Sequence, residues 1–571
     1  MVNVIHEDGN SCRIDRYWSI LKKYEVNLKK ESRKLKGSIY TPKFIVDYIN
    51  KRVIIDNINL TEKTNVRNIK IIDPACGCGA FLIDALFKLK KITGASLKEL
   101  VENSIYGVDI DPLAVEKTKF ILSSIVFEFE GEFPKKFNIY CGNSLDKRFL
   151  KKKINKNFDA IVGNPPYVRI QNLDEDMKNT IKDWSFVIGD SDLYIPFMEL
   201  GLKLLSKNGK MGYITPNSYF TSKAGRELRR FLQENKLIEE IVDFGHYQVF
   251  EGITTYTSIT IISNSPKDFF IFKKVEHKED IKKLDEIKGY KIYFNKINPE
   301  KWVLLDGEDW DIINHIENSY YKLKDIADIR VGIATLADRI YILEDPKEKG
   351  DYYIKEINGQ EFLIEKEITR EIIKVSRIKS EDDIKHNRRR IIFPYKKVDG
   401  KYVIIKEDEL KIKYPKTYEY FLHFKDILLK RDKGKKKYEE WYAYGRTQGI
   451  NSSFGKKILV PPMATKPTFI VCEKEDALFY SGYAIFPKLE PFTDLYLLKK
   501  ILNSELMKIY INKTSKTYRG GWKSYAKTFI QDFGIPKLSQ DEIKYLKEEN
   551  DPKKINEFLK RVYYGRKNPL Q

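Results

Sequence analysis

An α/β fold with one seven-stranded, largely parallel sheet, followed by a mixed α+β C-terminal domain, is what this 571-residue sequence predicts. Three observations carry that expectation. Short β-branched runs alternate with amphipathic helical stretches from residue 69 to about residue 262, the pattern of a sheet covered by helices on both faces. A glycine-rich turn, "PACGCGA", joins the first strand to the first helix of that series. After Ser265-Pro266 the rhythm breaks into charged, irregular segments.

The expected strands are Ile69–Asp73, Ile105–Asp109, Phe137–Cys141, Phe158–Gly163, Lys210–Thr215, Glu239–Phe244 and Thr257–Ile262. In "GAFLIDALFKLKK" the residues Phe81, Leu82, Ala85, Leu86 and Leu89 share one helical face,. "PLAVEKTKFILSSIVF" opens with Pro112 at a first helical position behind Asp111 as N-cap,. "GHYQVFEGITTY" is too short for a crossover helix, so the last two strands should pair as an antiparallel hairpin,. From about Tyr321 onward basic and aromatic residues interleave in "RRRIIFPY", "KRDKGKKKYEEWYAYGRTQG" and "KTSKTYRGGWKSYAK", as on a nucleic-acid surface,.

Composition bounds the function. With 42% hydrophobic residues the chain can build two or three cores,. No run approaches the roughly 20 apolar residues of a membrane span, and the N-terminus lacks the apolar stretch of a signal peptide. Five scattered cysteines suit a reducing cytoplasm,. Cys76 and Cys78 have no second Cys/His pair at zinc spacing, so no metal site is expected,. The net charge of +21 has two readings: a polyanionic partner, or a lysine-rich surface favoured by an AT-rich genome,.

Gly77 and Gly79 permit a tight turn and close ligand approach at a helix N-terminus,. Asp109, at the end of the second strand, can accept both hydroxyls of a ribose, while Asp111 caps the helix,. The turn is not the G-x-G-x-x-G of dinucleotide folds. An acidic Asp73 before it suits an ammonium-bearing cofactor such as S-adenosylmethionine, whose carboxylate end Thr41 and nearby amides can hold.

The ordered set "YTP", "DPACGCGAFL", "VDID", "GNSL", "NPPY" and "GYITPNSYF" resembles the TaqI-like, gamma-class N6-adenine DNA methyltransferases over residues 37–265. "DIADIRVGIATLADRIYIL", "WYAYGRTQG" and "LKKILNSELMKIY…FIQDFGIPKL" extend a looser resemblance to the C-terminus. It implies a Rossmann-like S-adenosylmethionine-dependent methyltransferase fold with a target-recognition domain behind it. The implied division is an extension (1–36), a cofactor-binding and catalytic domain (37–265), a linker or extension (266–320) and a DNA target-recognition domain (321–571). Residue by residue, the resemblance places Thr41, Ala75 and Gly77 near the methionine part of the cofactor and Asp73 near its ammonium, with Tyr40 and Gly79 also in the cofactor site. Asp109 and Ile110 fall at the ribose, and Asn143, with Ser144, near the adenine amine, where the family usually carries an acid. Double-stranded DNA, contacted by Arg169, Arg446, Arg519, Trp522 and Lys523, is the implied partner. A monomer and a cytoplasmic location are expected, and the chain serves either beside a separately encoded restriction endonuclease or as a solitary enzyme.

The tetrad Asn164-Pro165-Pro166-Tyr167 has no strong acid or base. Adenine's exocyclic amine is a poor nucleophile because its lone pair is conjugated into the ring. The Asn164 side-chain oxygen and the Pro165 carbonyl can accept both amine hydrogens and free that pair, and proline fixes the carbonyl direction without competing as a donor. Such chemistry is positioning and electrostatics. An extruded base needs stacking surfaces; Tyr167 offers one, and Phe250 the other, with Tyr247 and Tyr256 as rivals. The competing functions are weaker. An N4-cytosine methyltransferase usually begins the tetrad with Ser. Release-factor glutamine methyltransferases share the elbow without a large basic C-terminal region. The modification half of a bifunctional restriction enzyme would bring a nuclease array, which the sequence does not display. A non-catalytic DNA-binding module leaves the cofactor motifs unexplained.

Overall fold

The computed structural model describes residues 15–21, 23, 40–57, 69–250, 254–434, 437–447 and 449–565. The chain divides into two compact units, Met1–Asp306 and Gly307–Gln571. The extension expected over residues 1–36 falls almost wholly outside the described residues, as do Gly37, Ser38 and Ile39.

The first unit is built on β1 (Ile71–Asp73), β2 (Ile105–Asp109), β3 (Asn138–Cys141), β4 (Phe158–Gly163), β5 (Leu205–Pro216), β6 (Ile238–Asp243), β7 (Thr257–Ser263), β8 (Phe269–Lys274) and β9 (Tyr290–Tyr293). Their spatial order is β3-β2-β1-β4-β5-β7-β6-β8-β9. The first five are parallel, and β7 lies antiparallel between β5 and β6. All seven expected strands form, with the expected hairpin. The sheet nevertheless has nine strands, since β8 pairs parallel with β6 and β9 antiparallel with β8. Those two come from residues 266–320, whose charged composition reads as a linker. β8 buries Phe270, Phe272 and Lys273, whose ammonium donates to the Tyr48 hydroxyl and the Leu284 carbonyl, and the edge strand β9 buries Ile292.

Both faces of the sheet are covered. Successive strand residues point to opposite sides, so Ile71 and Val162 enter one core while Ile72 and Ile161 enter the other. Helices α1 (Lys43–Asn50), α2 (Ala80–Thr93) and α3 (Pro112–Glu130) pack into the first core through Ile45, Leu82, Leu86 and Leu122. Helix α4 (Tyr194–Leu204) fills the second with Met198 and Leu200. Asp111 caps α3, its side chain accepting from the Leu113 N–H at 3.1 Å with Pro112 as the first helical residue. Two buried groups tie down the later strands: Tyr48 donates to Glu240 at 2.6 Å, and Arg229 donates to the carbonyls of Pro299 (2.8 Å) and Glu300 (2.6 Å).

The second unit is mixed α+β. One antiparallel sheet orders Ala327–Val331, Tyr483–Pro487, Lys457–Val460 and Ile470–Cys472. A second orders Ile342–Leu343, Arg390–Ile392, Thr369–Lys374 and Leu478–Tyr480. Helices close the unit, including Leu495–Leu502, Glu505–Thr514 and Pro552–Tyr564. Its core is rich in tyrosine, so several aromatics of the basic-aromatic runs lie inside it. Tyr442 and Tyr444 of "WYAYGRTQG" are fully buried, and Phe393, Tyr395 and Tyr525 nearly so. A phenol can be buried where its hydroxyl meets a carbonyl. Tyr442 donates to Ile405 at 2.6 Å and Tyr444 to Ile392 at 2.7 Å.

Candidate active site

The strand order reverses between β1 and β4, the position where open α/β sheets bind ligands beyond their carboxyl ends. Asp73, Asp109 and Gly163 are the last residues of β1, β2 and β4, so the sheet itself gathers the candidate groups.

Asp73 is 1% exposed, and one of its oxygens accepts from the Ala75 N–H at 2.9 Å. Burial pushes its carboxyl up to about 8 against the pull of that N–H, and the charge of Asp109 adds to the rise,. The neighbouring strand must end in glycine: a Cβ on Gly163 would lie 2.8 Å from Asp73 Oδ1, and φ there is +155°. Asp109 is anchored by two backbone donors, Gly77 and Asp111, each at 2.8 Å. Gly79 begins α2 at φ +87°, where a Cβ would meet Thr118 at 2.8 Å. Thr118 also donates to the Gly77 carbonyl at 2.9 Å and so braces the turn. Cys76 and Cys78 are buried in the core beneath it. Ile110 stands 56% exposed beside Asp109.

Two expected cofactor residues are engaged locally. The Asn143 oxygen accepts from the Leu145 N–H at 2.9 Å, and its amide nitrogen faces Met177 Sδ at 3.3 Å. An adenine amine there would use the oxygen's second lone pair. Ser144 is buried and donates to the Pro74 carbonyl, fastening the loop after β3 to the turn after β1.

The tetrad leaves β4 without regular backbone pairing. Asn164 donates from Nδ2 to Thr41 Oγ1 at 3.1 Å, while its Oδ1 is buried and has no hydrogen-bond partner. Tyr40, half-buried, precedes Thr41 at the start of α1. Pro165 is buried and Pro166 half-buried. The Tyr167 hydroxyl donates to the Ile214 carbonyl at 3.1 Å, and its ring meets Phe250 edge to face at 6.2 Å. Of the three aromatic rivals, Phe250 is the ring against Tyr167. Tyr247 instead donates to the Glu276 carbonyl at 2.6 Å, and the Tyr256 carbonyl accepts from the Asn217 N–H at 3.0 Å.

Sequence reasoning missed Gly163, Thr118 and Tyr213. Gly163 reads as the mere end of a strand. Thr118 lies mid-helix with no motif around it. Tyr213 belongs to "GYITPNSYF", yet nothing in that string tells that its buried hydroxyl finds no partner or that its ring lies under Gly163.

Arg169 is exposed beside the tetrad, its backbone bridged to Asp192. In the second unit Arg446 is exposed, and Asp432 holds it through two contacts of 2.8 and 3.2 Å. Arg519 and Trp522 project from a turn with Gly520 and Gly521 at φ +78° and +77°; Lys523 donates to Thr517 at 2.6 Å. Among the described residues no helix is long and apolar enough to cross a membrane.

Two family models match. Residues 103–250 match the Eco57I restriction-modification methylase, and residues 387–535 match the TaqI-like C-terminal specificity domain. The type II restriction enzyme and methyltransferase RM.Eco57I of Escherichia coli is 26% identical over 92% of this chain, which spans only 59% of that protein's length. The type II methyltransferase M.BstVI of Geobacillus stearothermophilus is 25% identical over 88% of this chain and 91% of its own. M.BanIII of Aneurinibacillus aneurinilyticus is 26% identical over 91% and 94%. Among solved structures, the type IIL restriction-modification enzyme MmeI in complex with DNA shares the fold, with a TM-score of 0.63 at 15% identity over 95% of this chain and 78% of that one. The catalytic segment thus resembles restriction-modification methylases, and the C-terminal segment resembles TaqI-like specificity domains.

Proposed function

We propose that this chain is a site-specific DNA methyltransferase that moves a methyl group from S-adenosylmethionine to the N6 amine of an adenine flipped out of a short duplex recognition sequence. One observation carries the proposal: Asn164 Oδ1 is a buried acceptor with no donor in the protein. Such an atom costs about 1–3 kcal/mol unless a ligand donor reaches it, and a base amine is a donor of the right kind.

The surrounding residues suit the cofactor. Asp73 matches an ammonium, Asp109 a ribose, Thr41 a carboxylate, and the Gly77–Gly79 turn allows close approach. When bound, S-adenosylmethionine supplies a sulfonium-activated methyl group. Asn164 Oδ1 and the Pro165 carbonyl hold the two amine hydrogens and turn the nitrogen lone pair out of conjugation. Tyr167 and Phe250 stack on the extruded base, whose entry replaces their mutual edge contact. The second unit supplies target recognition through Arg446, Arg519, Trp522 and Lys523, with Arg169 near the target base. Double-stranded DNA is the partner, met by a monomer.

The test is direct. Purified protein is incubated with duplex DNA and isotopically labelled S-adenosylmethionine, and the DNA is digested to nucleosides. Label in N6-methyladenine at one sequence is the expected result. Label in N4-methylcytosine would move the chain to the cytosine class, and no label would remove the proposal.

A further inference from the structure

We infer that Thr41 is a positioning residue: by accepting from Asn164 Nδ2, its hydroxyl fixes which end of the amide faces the target amine. The inference rests on the adenine-methylation proposal and adds a role beyond cofactor contact. A primary amide has two nearly isosteric ends, one acceptor and one double donor. Only the oxygen can receive an amine hydrogen; the reversed amide would set N–H against N–H. Here the nitrogen end points to Thr41 at 3.1 Å, leaving Oδ1 buried and unpartnered. Thr41 is itself 5% exposed and lies in the turn that leads into α1, so water does not readily replace its hydroxyl.

A hydroxyl can either donate or accept, so Thr41 selects one orientation only if its hydrogen is engaged elsewhere. A carboxylate at the methionine end of the cofactor would take that hydrogen. Only the lone pairs of Oγ1 would then face Asn164, and the amide must present its nitrogen to them. Cofactor loading and acceptor orientation are thereby coupled through one hydroxyl group. Valine matches threonine in shape and offers no lone pair, whereas serine keeps the hydroxyl.

The test is a double-mutant cycle in the full chain, read by single-turnover methylation at saturating DNA and cofactor. Thr41→Val should slow transfer about tenfold, the loss of one polar contact, and Thr41→Ser should restore most of it. In the Asn164→Ala background Thr41→Val should cost nothing more, because there is no amide left to orient. A second readout needs no turnover. In asparagine-labelled protein saturated with S-adenosylhomocysteine, the side-chain amide resonances absent from Asn164→Ala should shift in Thr41→Val and return in Thr41→Ser. An unchanged rate and unchanged resonances in Thr41→Val would overturn the inference, as would an equal rate loss in both backgrounds. If Asn164→Ala itself transfers at the normal rate, the failure lies with the methylation proposal instead.

Discussion

Replacing Asp73 by Asn should abolish a specific pH dependence of cofactor binding. Asp73 is buried at the end of β1, and burial raises its carboxyl to about 8. In the free protein about one molecule in a hundred therefore carries the charge at pH 6, and about one in ten at pH 7. An ammonium is held only by the ionised form, so affinity for S-adenosylhomocysteine should rise about tenfold from pH 6 to pH 7. The rise should end near pH 8, where Asp73 is half ionised and the ligand's own α-amino group, near 7.7–8.0 in model compounds, begins to lose its proton. Binding at pH 7 should release nearly one proton. Calorimetry in buffers of differing ionisation enthalpy measures that release, and Asp73→Asn should remove it. The stability of the ligand-free fold carries the opposite sign. A carboxyl raised from 3.8 to about 8 contributes stability that is present below pH 4 and lost as pH climbs through 8,. Thermal unfolding of the free protein should fall across that window, and ligand should restore it. Proton release that is absent in the parent protein, or that persists in Asp73→Asn, would refute this assignment.

Tyr167→Ala should impair base extrusion and transfer together, by the roughly 1–3 kcal/mol of one stacking contact, read as 2-aminopurine fluorescence at the target position beside the single-turnover rate. Tyr167→Phe should be milder, losing only the hydroxyl bond to the Ile214 carbonyl, while Phe250→Ala should resemble Tyr167→Ala and Tyr247→Phe should not. Gly163→Ala should weaken S-adenosylhomocysteine binding, because its Cβ would intrude to 2.8 Å from Asp73 Oδ1; calorimetric affinity equal to the parent's would exclude that crowding. Arg446→Ala should lower the slope of log affinity against log salt by about 0.9, one phosphate's worth, leaving cofactor affinity alone; an unchanged slope would take Arg446 off the DNA backbone.

The first unit was largely legible in the sequence because its signals are local and periodic. Alternating β-branched runs, the glycine turn after Asp73 and the Asp111-Pro112 helix start each depend on a few consecutive residues, and each reappears in the structure. β8 and β9 were not legible, because their short apolar runs "FFIF" and "YKIY" sit in a stretch dense in lysine, aspartate and glutamate. The aromatic residues of the second unit misled for a related reason. "WYAYGRTQG" buries Tyr442, Ala443 and Tyr444 and exposes Arg446, a division that composition alone averages into one basic-aromatic patch. In the site, residue identities were visible but their pairings were not. Nothing in the string joins Thr41 to Asn164, 123 positions away, or sets Gly163 against Asp73. The second pairing arises where β1 and β4 become neighbours, which is a property of the sheet.

Asn164 Oδ1 is placed to accept a hydrogen of the target amine. The most direct test of that role is single-turnover methylation by Asn164→Ala, with DNA and S-adenosylhomocysteine affinities measured on the same preparation. Losing one well-placed polar contact of this kind costs about 10²–10³ in rate, so transfer should fall by that factor. Both affinities should stay within about threefold of the parent's, because the contact belongs to the transfer step. Near-normal transfer by Asn164→Ala would contradict the account, and so would a rate loss explained entirely by weaker DNA or cofactor binding.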